Sequence, residues 1–302
     1  MVKFIVTALS LIIVVCLAVW PVFAAEPLPV FVSIAPQKYF VQQIGKEMVD
    51  VQILVEPGAD PHTYEPKPQQ MVALSKARLF FAVGIEFEAA KLKKIKGLNA
   101  QMRVVHTDHG ILKLPMAHHE HHGTAEDHDA AHTDRHHHDH EGLDPHIWLS
   151  PPLVMMQART ILIAFQEVDP ANRTRYEANY REFIMELVDL DAQLRTAFDG
   201  LKGSAFMVLH PSWGTFAHTY GLKQIPIEVE GKSPKPAQLE ELIAYAQANQ
   251  VKVVFVQPQL SSKTAQLIAK SINGRVTAVN PLAEAWTANL QHVAEEFKHA
   301  FK

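Results

Sequence analysis

The chain has 302 residues, 48% of them hydrophobic, and a formal charge of -4 with acids and bases interspersed. That length exceeds one small core and suits two α/β domains, and the absence of a basic stripe argues against a nucleic-acid partner. The distinctive component is histidine, present 18 times against a single cysteine.

Residues 1–24 open with Lys3, continue as an apolar run from Phe4 and end in Val22-Phe23-Ala24, a small-residue cleavage pattern. They read as a cleaved secretory signal. The alternative is an uncleaved anchor, since the run is nearly long enough to span a bilayer. Cys16 follows Val15 inside this run, whereas a lipoprotein signal wants a small residue just before its cysteine, so no lipid anchor is expected. The mature chain then lacks cysteine, and a transition-metal site must be built from imidazole and oxygen donors.

Short β-rich runs at 29–35, 51–55, 79–84 and 102–106 alternate with helical patterns, and runs at 205–209, 225–229, 251–257 and 276–279 repeat the arrangement with helices at 236–250 and 263–272. Such alternation predicts parallel sheets covered by helices, one in each half.

Between the halves, 169–199 carries Tyr176, Tyr180, Phe183, Leu187, Leu190, Leu194 and Phe198 at three- and four-residue steps. One long amphipathic helix is expected, with Asp169 as N-cap, Pro170 in the first turn and Gly200 just past the end. At about 30 residues it would reach roughly 45 Å, a rigid spine. The expected organisation is a signal over 1–24, a first metal-binding lobe over 25–168, a spine over 169–200 and a second metal-binding lobe over 201–302. A spine of this kind predicts small tilts on ligand binding in place of wide hinge closure.

Residues 118–140 break the pattern, with ten histidines in 23 positions: His118, His119, His121, His122, His128, His132, His136, His137, His138 and His140. No core can be built there, and the segment reads as a solvated loop inserted in the first lobe. Its imidazoles offer weak, exchangeable metal sites; the bland alternative is a tolerated low-complexity insertion.

Three other histidines stand in stiff local settings: Asp60-Pro61-His62-Thr63-Tyr64-Glu65-Pro66, Asp144-Pro145-His146-Ile147-Trp148 and Leu209-His210-Pro211-Ser212-Trp213. A proline beside each restricts the backbone, as a preorganised ligand position requires. His62 follows one predicted strand, His210 ends another, and Asn280 ends the last, which is where open α/β sheets bind ligands. Three imidazoles with one oxygen or water suit four-coordinate Zn2+; Mn2+ leans toward oxygen shells, while Cu2+, Ni2+ and Co2+ also accept imidazole. His106, His109, His218, His292 and His299 read as surface or structural residues, and Trp148, Trp213 and Trp286 as core aromatics.

These fragments, with Tyr220-Gly221-Leu222 and Asn280-Pro281-Leu282, resemble the cluster A-I substrate-binding receptors of ABC importers, of ZnuA type, over nearly all of the mature chain. The resemblance implies a periplasmic, monomeric zinc receptor that serves a membrane permease and catalyses nothing. It implies His62, His146 and His210 as metal ligands, the third being histidine where manganese receptors have glutamate. The family usually has aspartate where this chain has Asn280, so the fourth position falls to Asn280, a water, Glu65, or a carboxylate such as Glu228 or Glu230.

Two other classes fit the same residues. A zinc hydrolase or hydratase also uses three histidines and an open position, but the chain lacks a His-Glu-x-x-His helix, and His136-His137-His138-Asp139-His140 lacks the His-x-His-x-Asp-His spacing. An adhesin or extracellular metal buffer would use the same site with a different partner.

Overall fold

A computed structural model describes residues 26–59, 61, 64–116, 142–228, 232–258 and 262–301. The predicted signal, His62, Glu230 and the histidine-rich loop lie outside these residues.

All eight expected strands form, as β1 (Leu28–Val32), β2 (Val49–Ile53), β3 (Leu79–Ala82), β4 (Arg103–His106), β5 (Ala205–Val208), β6 (Lys223–Pro226), β7 (Val253–Val256) and β8 (Arg275–Ala278). They make two four-stranded sheets ordered β2-β1-β3-β4 and β6-β5-β7-β8, parallel throughout. The same winding order recurs in both halves. Each sheet reverses direction of winding between its first and third strands, and ligands of open α/β sheets bind beyond the carboxyl ends there.

The first half adds helices α1 (Ala35–Gly45), α2 (Pro68–Leu74), α3 (Glu86–Leu98) and α4 (Pro151–Val168). The second adds α6 (Gly214–Tyr220), α7 (Pro236–Ala248), α8 (Lys263–Ser271) and α9 (Trp286–Ala300). Proline stands in the first turn of α1, α2, α4 and α7, where its missing N–H costs no intrahelical bond. Corresponding helices α2 and α7 share a start, Lys67-Pro68-Gln69-Gln70 and Lys235-Pro236-Ala237-Gln238. In each, the glutamine side chain accepts the lysine backbone N–H, at 2.9 and 2.8 Å.

The connecting helix differs from expectation at its start. Residues Pro170–Asn172 form a separate 3-10 turn, and the α-helix α5 spans Arg173–Ala197, 25 residues, or roughly 37 Å. Asp169 does not cap it. Its Oδ2 instead accepts hydrogen bonds from Asn172 Nδ2 and the Tyr176 hydroxyl, both at 2.8 Å, which draws the chain into the tighter turn. Gly200, past the helix end, has φ +81°, a conformation that favours glycine.

The buried stripe of α5, Tyr176, Phe183, Leu187, Leu190 and Leu194, joins one hydrophobic core with Val30, Phe31 and Phe81 of the first sheet and Phe206, Phe255 and Phe297 of the second half. Alternation along β5 splits the second sheet: Phe206 and Val208 face this shared core, while Ala205, Met207 and Leu209 face a smaller cluster under α7 and α8. Among the described residues no helix is long and apolar enough to cross a membrane.

Candidate metal centre

His210 lies two residues beyond β5 and Glu228 two residues beyond the neighbouring β6. The parallel ladder continues past the strand ends, with Ile227 N–H donating to Val208 O at 2.8 Å and Glu228 N–H to Leu209 O at 3.1 Å. Continuation of the register sets the two side chains beside each other, and His210 Nδ1 stands 3.0 Å from Glu228 Oε2.

His146 precedes a 3-10 turn, Ile147–Leu149, that leads into α4. The carboxylate of Asp144 holds it: Oδ1 accepts the His146 backbone N–H at 3.0 Å and lies 2.7 Å from Nδ1 of the ring. The second oxygen, Oδ2, accepts the backbone N–H and hydroxyl of Thr215, at 2.9 and 2.7 Å, from the other half of the molecule. Asp144 is 2% exposed. Burial opposes its charge, but the hydrogen bonds from His146 and Thr215 prevail and hold its carboxyl below the ordinary aspartate range.

Both imidazoles are therefore oriented alike, with a carboxylate on Nδ1 and Nε2 as the nitrogen able to donate to a metal. This carboxylate–histidine arrangement fixes the ring tautomer and raises the basicity of the donor nitrogen. The ring centres stand 5.9 Å apart at an interplanar angle of 70°. An ion held at about 2.0–2.1 Å by both Nε2 atoms would place the centres roughly 5–6 Å apart, a range that includes the observed spacing. Among the described residues, which exclude His62, no group of three or more His, Cys, Asp or Glu side chains is gathered closely enough to hold a metal ion.

The remaining candidates are placed less directly. The loop after β2 that carries His62 is closed at its base by Gln70, whose Nε2 donates to Leu54 O at 2.7 Å while its Oε1 accepts the Tyr64 hydroxyl at 2.7 Å. Glu56 and Lys67 add an ion pair across the same base at 2.6 Å. Glu65 is paired with Lys91, and its side chain is 74% exposed, turned to solvent. The side-chain oxygen of Asn280 accepts the Leu282 N–H at 3.0 Å, shaping the turn after β8. Glu228, a possible fourth ligand by sequence, instead meets the Nδ1 side of His210.

The histidine-rich insertion departs and returns through a short antiparallel neck, with Met116 N–H donating to Gly142 O at 2.9 Å and Asp144 N–H to Leu114 O at 2.7 Å. The neck thus ends on the residue that orients His146. Sequence reasoning missed three partners: Thr215, the carboxylate role of Asp144, and the indole of Trp148, whose ring centre lies 5.0 Å from that of His146. Equal offsets of His210 and Glu228 from adjacent strands offered a readable signal; the Asp144–Thr215 contact, between distant segments, offered none.

A sequence model of the family described as "ZnuA: Zinc-uptake complex component A periplasmic" matches residues 30–300. The high-affinity zinc uptake system protein ZnuA of Bacillus subtilis (strain 168) is 31% identical over 260 residues, covering 85% of this chain and 79% of that protein. The protein of the same description from Yersinia pestis is 25% identical over 264 residues, covering 84% and 82%. A crystal structure of ZnuA superposes with a TM-score of 0.82 at 40% identity, covering 92% of this chain and 100% of that one. The zinc-bound 138-173 deletion mutant of ZnuA gives 0.80 at 41% identity over 91% and 98%. With two like-wound sheets, a linking helix and a sequence match that runs nearly end to end, the chain belongs to the ZnuA family of periplasmic zinc-uptake components.

Proposed function

We propose that this chain is an exported, non-catalytic receptor that captures Zn2+ in the cleft between its lobes and delivers it to the permease of an ABC-type importer. The observation that carries the reading is the pair His146 and His210, brought from different halves to 5.9 Å with a carboxylate behind each ring. His62 is the third proposed ligand, and water or Asn280 supplies the fourth position. Imidazole donors favour zinc over manganese. The histidines of residues 118–140 serve as weak auxiliary sites that raise the local metal concentration at the cleft.

A receptor is favoured over a zinc hydrolase because the carboxylates beside the two rings are committed. Asp144 accepts four hydrogen bonds, and Glu228 sits on Nδ1 of His210. Both carboxylates lie on the Nδ1 side of their rings, away from Nε2.

The test is metal analysis and calorimetry on the mature protein and on H62A, H146A and H210A. One tight zinc site that each change weakens severely is expected. Wild-type affinity in H146A or H210A would overturn the assignment, and zinc-dependent turnover of an ester or phosphate substrate, lost in H210A, would restore the enzymatic reading.

A further inference from the structure

Helix α6 touches the chain around His146 at two points, only one of which reaches the carboxylate on its ring. Thr215, in its first turn, gives Asp144 Oδ2 both its amide and its hydroxyl, at 2.9 and 2.7 Å. Thr219, one turn on, sets its Oγ1 2.9 Å from Ser150 Oγ, just before α4. Thr215, Asp144 and Ser150 are all buried. The chain leading from His210 into α6 is itself pinned: Ser212 N–H turns back to His210 O at 2.8 Å, and Trp213 N–H donates to Gln224 Oε1 at 2.6 Å. A continuous run of short contacts therefore leads from the ring of His146 through Asp144 to α6, and along the backbone to His210.

We infer that Thr215 is a positioning residue for the metal site. It anchors Asp144, and through Asp144 the ring of His146, to the helix that follows His210, so that the spacing of two imidazoles from different lobes is set before an ion arrives. The inference rests on the reading of His146 and His210 as ligands. Gly214 is consistent with it: a Cβ there would lie 3.0 Å from Asp144 Oδ2 and 3.3 Å from Gln224 Nε2, so a side chain at this position would press on the carboxylate. Without the Thr215 hydroxyl, Oδ2 would keep a single donor, and the carboxylate would be free to rotate away from the geometry that aims Nε2. Outer-shell contacts of this kind are worth about 10- to 100-fold in metal affinity.

The experiment compares Thr215→Val, Thr215→Ser and Thr219→Val in the full mature chain, with Zn2+ competed against a chromophoric chelator and thermal stability measured in parallel. Thr215→Val should weaken zinc by about 10-fold, and Thr215→Ser, which keeps the hydroxyl, should restore affinity to within about twofold. Thr219→Val, at the other end of the same helix, should lower stability and leave zinc affinity within about twofold of wild type. In an H146A background, Thr215→Val should add no further loss. Equal weakening by Thr219→Val, or full additivity with H146A, would show a general packing effect and overturn the role. Wild-type affinity in Thr215→Val with H146A impaired overturns Thr215 alone; wild-type affinity in H146A overturns the ligand reading beneath it.

Discussion

The indole N–H of Trp148 donates to the carbonyl of Pro281 at 2.7 Å, fastening the segment that carries His146 to the loop that carries Asn280. The carbonyl of Trp148 in turn accepts the indole N–H of Trp286, also at 2.7 Å. A hydrogen bond between Thr287 and Tyr39 and an ion pair between Lys38 and Glu284 extend the seam, at 3.0 and 2.7 Å. Two aromatic side chains that read from sequence as core filler thus fasten one half of the molecule to the other.

Replacing Trp148 by phenylalanine keeps most of the ring volume and leaves the buried Pro281 carbonyl without its donor, at a cost of about 1–3 kcal/mol. Thermal melting should register that loss. Since the ring lies beside His146, W148F should also lose most of the change in intrinsic fluorescence on zinc addition. A fluorescence response equal to wild type would place the reporter at Trp213 or Trp286.

Two buried carboxyls should answer pH in opposite senses. At Asp144 burial is outweighed by hydrogen bonds from His146 and Thr215, and the carboxyl sits below 3.8. At Glu88 burial dominates the hydrogen bonds from the backbone N–H groups of Val83 and Gly84 and lifts the carboxyl above 4.5. A depressed acid stabilises the fold above its unfolded pKa and loses that contribution as pH falls through the folded one. A raised acid contributes fully below its unfolded pKa and loses the contribution as pH climbs through the folded one. The penalty of D144N, about 2–3 kcal/mol at neutral pH, should therefore shrink on acidification below 3.8. The penalty of E88Q should shrink as pH rises above 4.5. Urea unfolding of both variants and wild type across that range checks the signs, and parallel trends would contradict the assignment.

Gln70→Ala removes the contacts that tie Leu54 to Tyr64 and Lys67 at the base of the His62 loop. A stability loss of about 1–2 kcal/mol is expected, with faster proteolytic cleavage within residues 55–66. Limited proteolysis followed by mass spectrometry reads it directly; a cleavage pattern identical to wild type would mean that the Glu56–Lys67 ion pair suffices.

Deleting residues 118–140 should leave one tight zinc site and remove several weak ones, counted by calorimetry. Loss of the tight site together with the weak ones would make the insertion the primary site.

Much of this architecture was legible because it rests on local pattern. Runs such as Val253–Val256 and Leu79–Ala82 are apolar at every position, as strands covered on both faces must be, and the stripe of α5 recurs at helical spacing. The start of α5 was misread because Asp169 had a competing partner, Tyr176, visible only once the turn is folded. At the site, the stiff Asp-Pro-His setting pointed to His146, but proline received the credit for orientation that belongs largely to the Asp144 carboxylate. Its other anchor, Thr215, lies far along the chain in the second half. No local pattern could connect the two, since the contact exists only after both sheets have formed and docked.

The hydrophobic interior that runs from Val30 and Phe81 through the stripe of α5 to Phe206 and Phe297 belongs to neither half alone. Melting one half would strip the apolar covering from the other, so heating should produce a single endotherm whose calorimetric and van't Hoff enthalpies agree. Bound zinc should shift that one peak upward as a whole, by an amount that grows with the logarithm of free metal.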